Sequence, residues 1–391
     1  MTSRRLPPLR PFVLVAFLAL ALGGVAQAAT PQPIANPAFG FPLPGDAPAP
    51  SNAASAGLAL ADRWLGETAF ENPAAGAARG FALQVSPVFQ RVNRQDLAST
   101  NRSTVQKRGY PDVAGGALAY GAERWSATLY AWHPVLRLEQ LVYESGPIAT
   151  PASVSQEALQ RELRAGLALS FAMGDRMRVG VAGEYVDRRD SYTAEVQSGG
   201  PSSGTRSLTL EGSGMAASAG LTYANDPDRP WGSWFGAAVH WQGELDLDGA
   251  YEESLILGDS TGTLATTRSA AFSGGASARL TVAPATRVVV GLSANAGQDW
   301  TGFDRATDAG LSYGIGLDWK TPELPWGVRF GVGQERNPGA LEERAGLLSV
   351  GFTLVSGDMV FDLGLLHRNL ERSGFARSAD DRAVGSVRIA F

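Results

Sequence analysis

Cysteine is absent from the 391-residue sequence, and histidine occurs only three times. The lack of cysteine excludes a disulfide-stabilised scaffold, a zinc site built on thiolates and a cysteine nucleophile. Three histidines are too few for a histidine-rich metal site, so neither a metal nor another cofactor is predicted. Charged residues make up only 18% of the chain, yet no apolar run after residue 30 approaches the roughly 18 residues of a membrane-spanning helix. A helical membrane protein is therefore excluded.

The first 28 residues have the three-part organisation of a secretory signal peptide. Three arginines precede an apolar run over residues 12–25, and Ala26–Ala28 form a small-residue cleavage site. A membrane anchor is the alternative, but the run is short and no stop-transfer sequence follows it. The chain has 33 basic and 38 acidic residues, and without the three N-terminal arginines its net charge is −8. A nucleic-acid partner is not expected, because nucleic-acid binding requires a basic surface.

Glycine is abundant, at 47 residues, and from about residue 80 onward apolar residues alternate with small or polar ones. The clearest run covers 311–320, where large apolar residues occupy every odd position. Because strand side chains alternate between the two faces of a sheet, such runs predict strands with one apolar and one polar face. The pattern predicts fourteen strands, at 81–93, 112–121, 124–139, 158–172, 176–190, 206–224, 231–247, 266–282, 286–299, 308–320, 325–336, 344–356, 359–371 and 380–391.

Most of these strands are longer than the roughly five or six residues that are usual in soluble sheets. They match the ~9–11 residues that cross a bilayer. A soluble sandwich or propeller would bury the apolar face, whereas a transmembrane barrel would turn it to lipid. Aromatic residues near strand ends and the polar content of the second face favour the barrel. We predict an all-β protein: a 14-stranded antiparallel transmembrane β-barrel over residues 81–391, preceded by a signal peptide (1–28) and an N-terminal plug segment (29–80).

The polar face of the strands is predicted to line the lumen. Its charged and titratable members are Arg176, Arg178, Glu184, His240, Glu244, Arg329 and Arg388. A catalytic role for His240 would require a nucleophile and an orienting acid nearby, and no serine or aspartate spacing singles out such a pair. The protein is therefore not predicted to be an enzyme.

Connection lengths alternate between short and long, as in bacterial barrels with short periplasmic turns and longer external loops. Residues 173–175, 283–285 and 357–358 are predicted periplasmic turns. The predicted external loops are 94–111, 140–157, 191–205, 248–265 and 372–379. This alternation places both termini on the periplasmic side of a bacterial outer membrane.

The N-terminal part carries a family resemblance. A Pro/Ala/Gly-rich stretch ends in Asn72, Pro73 and Ala74, just before the first of the predicted strands. This order resembles the FadL/TodX family of outer-membrane transporters for hydrophobic compounds, whose members typically carry an Asn-Pro-Ala element in an N-terminal hatch that plugs the lumen. The stretch from Trp326 to Gly351 is similar to the C-terminal third of that family. PorV-like barrels of protein secretion share the Asn-Pro-Ala element and the strand number.

The resemblance implies passive uptake of hydrophobic small molecules, of the long-chain fatty acid or aromatic hydrocarbon type. The solute would leave sideways into the bilayer through a gap made by a kink in the third strand. His133 and Pro134 lie in the middle of the third predicted strand, and proline interrupts a ladder because it lacks an N–H group. Alternatively, Pro134 marks the point where this strand leaves the membrane. Docking or shuttling of secreted proteins, as in PorV-like barrels, is the alternative function.

By the same resemblance, Asn72–Ala74 would anchor the hatch to the barrel wall, although an ordinary turn before the first strand also fits these residues. Phe391 ends the last alternating run, and a terminal aromatic of this kind is carried by many barrels assembled in the outer membrane. The predicted partners are a hydrophobic small-molecule substrate, outer-membrane lipid and the barrel assembly machinery.

Overall fold

The computed structural model describes twelve stretches of the chain: residues 68–75, 80–93, 107–145, 152–197, 204–225, 233–255, 258–301, 305–307, 309–320, 323–337, 343–371 and 378–391. The predicted signal peptide and most of the predicted plug segment lie outside the described residues. Within these twelve stretches, no helix combines the length and the apolar character needed to cross a membrane.

One short helix and eighteen strand segments make up the regular structure of the described chain. The helix is α1 (Thr68–Glu71). The strand segments are β1 (Gly80–Asn93), β2 (Lys107–Gly121), β3 (Trp125–Ser145), β4 (Ala152–Met173), β5 (Met177–Gln197), β6 (Gly204–Ala224), β7 (Trp234–Gln242), β8 (Leu245–Leu255), β9 (Gly258–Arg268), β10 (Ala271–Ala283), β11 (Thr286–Asn295), β12 (Gln298–Trp300), β13 (Arg305–Thr307), β14 (Gly310–Trp319), β15 (Trp326–Asn337), β16 (Glu343–Ser356), β17 (Met359–Glu371) and β18 (Ser378–Ala390).

These segments form one antiparallel sheet that closes on itself. β1 pairs with β2 on one side and with β18 on the other, and the Phe391 N–H donates to the Phe81 carbonyl at this seam, 2.8 Å away. Consecutive short segments are halves of single strands, because β6 pairs with both β7 and β8. In the same way, β9 and β10 are two halves of one strand, as are β11 and β12, and β13 and β14. The barrel therefore has 14 strands, and the predicted fold class is confirmed.

The barrel turns its apolar face outward. On β14, Leu311, Tyr313 and Ile315 are exposed, whereas Ser312 and Asp318 are buried in the lumen. The same alternation runs along the other strands, with Val181, Phe330, Leu348 and Leu363 on the outer face. A closed sheet satisfies its backbone hydrogen bonds internally, and an apolar outer surface matches the hydrocarbon of a bilayer. The protein is a transmembrane β-barrel.

Aromatic side chains gather at the end of the barrel that carries the short turns. Tyr120 and Trp125 flank the turn between β2 and β3, with ring centroids 5.5 Å apart. Trp319 and Trp326 flank the connection between β14 and β15 at 5.3 Å. Such a girdle is typical of the membrane–water interface, where amphipathic rings are most stable. The aromatic residues near strand ends that predicted this girdle include Trp234, but Trp234 is buried and does not belong to it.

At the opposite end, several strands extend beyond their predicted limits. β3 continues to Ser145 and β4 begins at Ala152, so most of the predicted loop 140–157 is strand. The predicted loops 191–205 and 248–265 are also largely strand. In these extensions polar residues occupy both faces, so the apolar–polar alternation that marks a half-buried strand disappears while the backbone ladder continues.

Candidate functional site: the hatch tip and the barrel wall

A short N-terminal segment enters the lumen. Residues 68–75, which we call the hatch tip, comprise α1 and the turn that follows it, in which the Ala75 N–H donates to the Asn72 carbonyl over 2.8 Å. Asn72 is fully buried, and its Nδ2 donates to the Leu221 carbonyl of β6 at 3.2 Å. Its Oδ1 accepts from the Ala74 N–H at 3.0 Å, and the Ser170 hydroxyl donates to the Ala74 carbonyl at 3.2 Å. The tip is thereby attached to the inner wall.

Small residues of the wall make this close approach possible. Ser170, Gly180 and Gly220 are direct cross-strand partners on β4, β5 and β6. A Cβ atom on Gly180 would overlap the Pro73 carbonyl, and a Cβ on Gly220 would overlap the Asn72 Oδ1 atom. Glycine is required at both positions because the backbone of the hatch tip passes directly over Gly180 and the buried, hydrogen-bonded amide of Asn72 lies directly over Gly220.

The third strand contains a β-bulge at His133 and Pro134. Trp132 pairs with Arg164, whereas Val135 pairs with Glu162, so β3 carries one more residue than β4 between these pairs. Trp132 and His133 are both buried, although neighbouring residues of a regular strand point to opposite faces. An extra residue bends a strand and locally disrupts its ladder. The strand nevertheless continues to Ser145, so Pro134 does not mark its end.

The bulge coincides with an opening in the wall. β2 and β3 pair from Gly121 and Ser126 up to Gly115 and Trp132, and their ladder extends no further within these two fully described strands. Beyond that point the remaining residues of β2 pair with β1, and those of β3 pair with β4. We call the divide between residues 107–114 of β2 and 133–145 of β3 the wall opening.

A cluster of six charged side chains lies in the lumen beside the bulge. Glu162 is at its centre and contacts Arg164, Arg188 and Arg268, with nitrogen–oxygen distances of 2.8, 3.1 and 3.3 Å. Arg164 also reaches Glu184 at 3.3 Å, and Arg188 reaches Asp190 at 3.0 Å. This charge cluster therefore combines three guanidinium groups with three carboxylates. Buried charges are tolerated when they are paired and hydrogen-bonded in this way.

His133 connects the bulge to this charge cluster. Its Nδ1 lies 3.2 Å from the Glu162 carbonyl oxygen, and its Nε2 lies 3.2 Å from Nη2 of Arg161. A carbonyl can only accept and a guanidinium can only donate. The two bonds therefore require the neutral Nδ1–H tautomer, in which Nδ1 donates and Nε2 accepts.

The ring of Phe70, at the hatch tip, is surrounded by aromatic and cationic groups of the wall. It stacks on Trp132 and meets Tyr130 edge to face, with centroid distances of 6.1 Å in both cases. The His240 ring is 6.4 Å away, and the guanidinium carbon of Arg164 lies 5.7 Å from the centre of the Phe70 ring. We call these four wall residues the aromatic box.

Five of the predicted lumen residues lie on the inner face of the barrel: Arg178, Glu184, His240, Arg329 and Arg388. The structure brings Glu184 and His240 together around the hatch tip, where His240 Nε2 donates to the Glu71 carbonyl at 2.8 Å. Arg178 donates from Nε to the Ser170 hydroxyl at 3.0 Å. Arg329 lies in another part of the lumen, 3.7 Å from Asp318 on the neighbouring strand.

Two predicted lumen residues lie elsewhere. Arg176 is exposed in the turn between β4 and β5, because β5 begins only at Met177. Glu244 is exposed in the break between β7 and β8. On either side of this break, Gln242 hydrogen-bonds Arg164 and Leu245 is buried, so residues of opposite parity face inward. The interruption reverses the alternation on which the prediction depended.

Four residues with many contacts in the site are not singled out by the sequence. Tyr130 and Trp132 share the inner face of a predicted strand, as do Glu162 and Arg164 on the next, so alternation alone could have assigned them to the lumen. Their mutual contacts, and the position of Phe70 among them, have no local signal in the sequence. Among the described residues, no group of three or more His, Asp or Glu side chains is arranged to hold a metal ion.

Comparison with known proteins finds similarity in structure only. No protein-family model matches the sequence, and no curated protein matches it. The Pseudomonas putida toluene transporter TodX superposes with a TM-score of 0.63 at 13% identity, covering 89% of this chain and 99% of that one. The Ralstonia pickettii toluene transporter TbuX gives 0.60 at 15% identity, with 89% and 99% covered. A Pseudomonas aeruginosa FadL homologue gives 0.62 at 12% identity, with 88% and 98% covered.

At identities this low, the superpositions establish a shared fold and nothing more. The resemblance carried by Asn72–Ala74 and the fourteen strands is confirmed at that level, and the chain has the barrel fold of FadL-type transporters.

Proposed function

We propose that the protein is a bacterial outer-membrane channel for the passive uptake of hydrophobic small molecules, in which the solute leaves the barrel sideways through the wall opening. The observation that carries this proposal is the position of the wall opening beside the hatch tip, because Phe70 stacks on Trp132, the last residue of β3 that pairs with β2. Structural neighbours that are named as toluene transporters and as a monoaromatic hydrocarbon channel support the same solute class.

A direct route down the lumen is unfavourable for an apolar solute. The hatch tip is attached to β4, β6 and β7, and the charge cluster holds six ionic groups beside it. An apolar molecule that passed between these groups would separate hydrogen-bonded charges and leave them unsatisfied, which is costly in a water-poor interior.

The sideways route is more favourable. Trp132 faces the lumen and lies where the β2–β3 ladder ends, so a solute beside Trp132 is already at the edge of the barrel wall. In the paired part of the two strands, three residues before this point, Leu118 and Leu129 are exposed on the outer, lipid-facing side. A hydrophobic solute that crosses here moves from the barrel interior into hydrocarbon without entering water, so the hydrophobic effect favours the step.

Deletion of Pro134 tests the route. Removing one residue gives β3 and β4 equal numbers of residues between Trp132 and Val135, which restores a regular ladder. Uptake of radiolabelled toluene and of oleate is measured in a Gram-negative host without a transporter of this type. We expect the wild type to exceed the empty vector and the deletion variant to fall toward the vector level.

Leu129→Ala is the matched control, because Leu129 lies on the outer face of the same strand. Heat-modifiable electrophoretic mobility verifies that every variant is a folded barrel. Wild-type uptake at the vector level would reject transport, and a stable co-purifying secreted protein would then favour docking. Uptake that is unchanged by the deletion would reject the sideways route alone.

A further inference from the structure

We propose that the aromatic box is a binding site for a single uncharged aromatic ring, and that Phe70 is a tethered occupant which an incoming substrate ring displaces. This inference rests on the proposed function and specifies its substrate class and its gate. The site consists of Tyr130 and Trp132 on β3, Arg164 on β4 and His240 on β7. Its present occupant comes from the hatch tip.

The geometry around Phe70 is that of a ligand in an aromatic site. One neighbouring ring is stacked, with an interplanar angle of 29°, and another is edge-on, at 75°. A guanidinium lies over the Phe70 face at 5.7 Å. Offset-stacked and edge-to-face pairs are the preferred arrangements of aromatic rings, and a cation over the face is attracted by the ring quadrupole.

The walls of the box are held in place by polar contacts that do not involve the Phe70 side chain. The Tyr130 hydroxyl donates to Glu184 at 2.6 Å. Arg164 is held by both Glu162 and Glu184. A site whose walls are fixed by other interactions remains formed when its occupant leaves, so a new ligand does not have to order it.

The chemistry of the box selects an aromatic ring over an alkyl chain. A saturated chain has no quadrupole, so it gains nothing specific from Arg164 or from the edge of Tyr130. Arg164 is already paired with carboxylates. A substrate carboxylate would have to compete with Glu162 and Glu184 for it and would be repelled by both. An uncharged ring of the size of benzene or toluene fits the position that the Phe70 ring now occupies.

The position of the box gives Phe70 a gating role. Trp132 forms one wall of the box and is also the last residue of β3 that pairs with β2. A ring that replaces Phe70 therefore lies at the inner margin of the wall opening. While Phe70 remains in the box, the same position is closed to solute.

Phe70→Ala tests the site in the purified full-length protein in detergent. Truncation leaves a cavity of phenyl size lined by the aromatic box, and engineered cavities of this size can bind benzene-like ligands. We expect toluene to bind Phe70→Ala about tenfold more tightly than the wild type, because no tethered ring has to be displaced first. Thermal unfolding measured against toluene concentration reports this as a saturable rise in Tm. Cyclohexane and decanoate serve as saturated and anionic probes.

Phe70→Leu is the control, because it fills most of the same space. A toluene-dependent rise in Tm that is no larger in Phe70→Ala than in Phe70→Leu would overturn the inference, as would equal effects of toluene and cyclohexane. The wild type is tested independently by fluorine NMR after 5-fluorotryptophan is incorporated. The resonance of Trp132 is assigned as the one that is missing in Trp132→Phe. Toluene is expected to shift the Trp132 resonance to a saturating value. The resonance of Trp241, which faces outward, should change only in proportion to the toluene dissolved in the detergent. Because binding is measured in detergent, failure here leaves cellular uptake, and therefore the proposed function, to be judged separately.

Discussion

Asn72 lies directly over Gly220, so close that no Cβ atom fits between the β6 backbone and the Asn72 Oδ1 atom. This contact joins a segment near the N-terminus to a strand that follows it by more than a hundred residues. The side-chain amide of Asn72 occupies the space that a side chain at position 220 would otherwise fill.

Gly220→Ala is expected to detach the hatch tip while leaving the barrel intact. The added methyl group displaces Asn72 from its bond to Leu221, and the loss of a buried hydrogen bond costs about 1–3 kcal/mol. Single-channel conductance in planar bilayers should rise as the tip leaves the lumen. Gly183→Ala is the control, since a Cβ there meets no atom within 4 Å. Equal conductance in both variants would contradict the docking role of Gly220.

Glu162→Gln is expected to destabilise the barrel strongly. The uncharged amide leaves Glu184 and Asp190 as the two carboxylates of the charge cluster that balance its three guanidinium groups, and breaking a buried ion pair costs about 3–5 kcal/mol. Urea unfolding in lipid vesicles, followed by tryptophan fluorescence, measures the change. Glu211→Gln provides the comparison, because the Arg189–Glu211 pair is mostly exposed and such pairs contribute less than about 1 kcal/mol.

Asp318→Asn addresses a second lumen cluster. Asp318 is surrounded by Arg279, Arg287 and Arg329, at distances of 3.8, 3.5 and 3.7 Å. These contacts are longer than those of Glu162, so the loss of stability should be smaller than for Glu162→Gln. The same urea titration ranks the two variants, and a larger effect at Asp318 would show that the longer contacts are the stronger ones.

Ile315→Arg tests the outward orientation of the apolar face. Ile315 is half exposed in the middle of β14, and an arginine facing lipid near the bilayer midplane costs about 2–4 kcal/mol. Asp358→Arg, in an exposed turn, should leave stability nearly unchanged. If the two substitutions have the same effect on unfolding in vesicles, β14 does not face hydrocarbon at Ile315.

The strand number and the fold class follow from local pattern. Alternation along 311–320 and its counterparts identifies strands and assigns a face to each residue, because side chains of a strand alternate whatever the strand pairs with. The pattern is weakest where both faces are polar, and for that reason it predicts loops where the extensions of β3 through β6 lie. It is also unreliable across ladder breaks, as the exposed position of Glu244 demonstrates.

The sequence could also draw attention to Asn72 and Pro134, but only as residue types with unusual backbone properties. A proline in a strand predicts a disturbance without saying whether the strand ends or bulges. The pairing of Val135 with Glu162 resolves this, and such register depends on the partner strand.

By itself, the sequence determined that this chain forms strands with one apolar and one polar face, since those properties depend on residues a few positions apart. Only the tertiary structure decided where the ladder between β2 and β3 ends, which charges meet Glu162, and that Phe70 occupies an aromatic box. These relationships join residues that are far apart in the chain. They are fixed by the closure of the barrel, which brings distant strands to face one lumen.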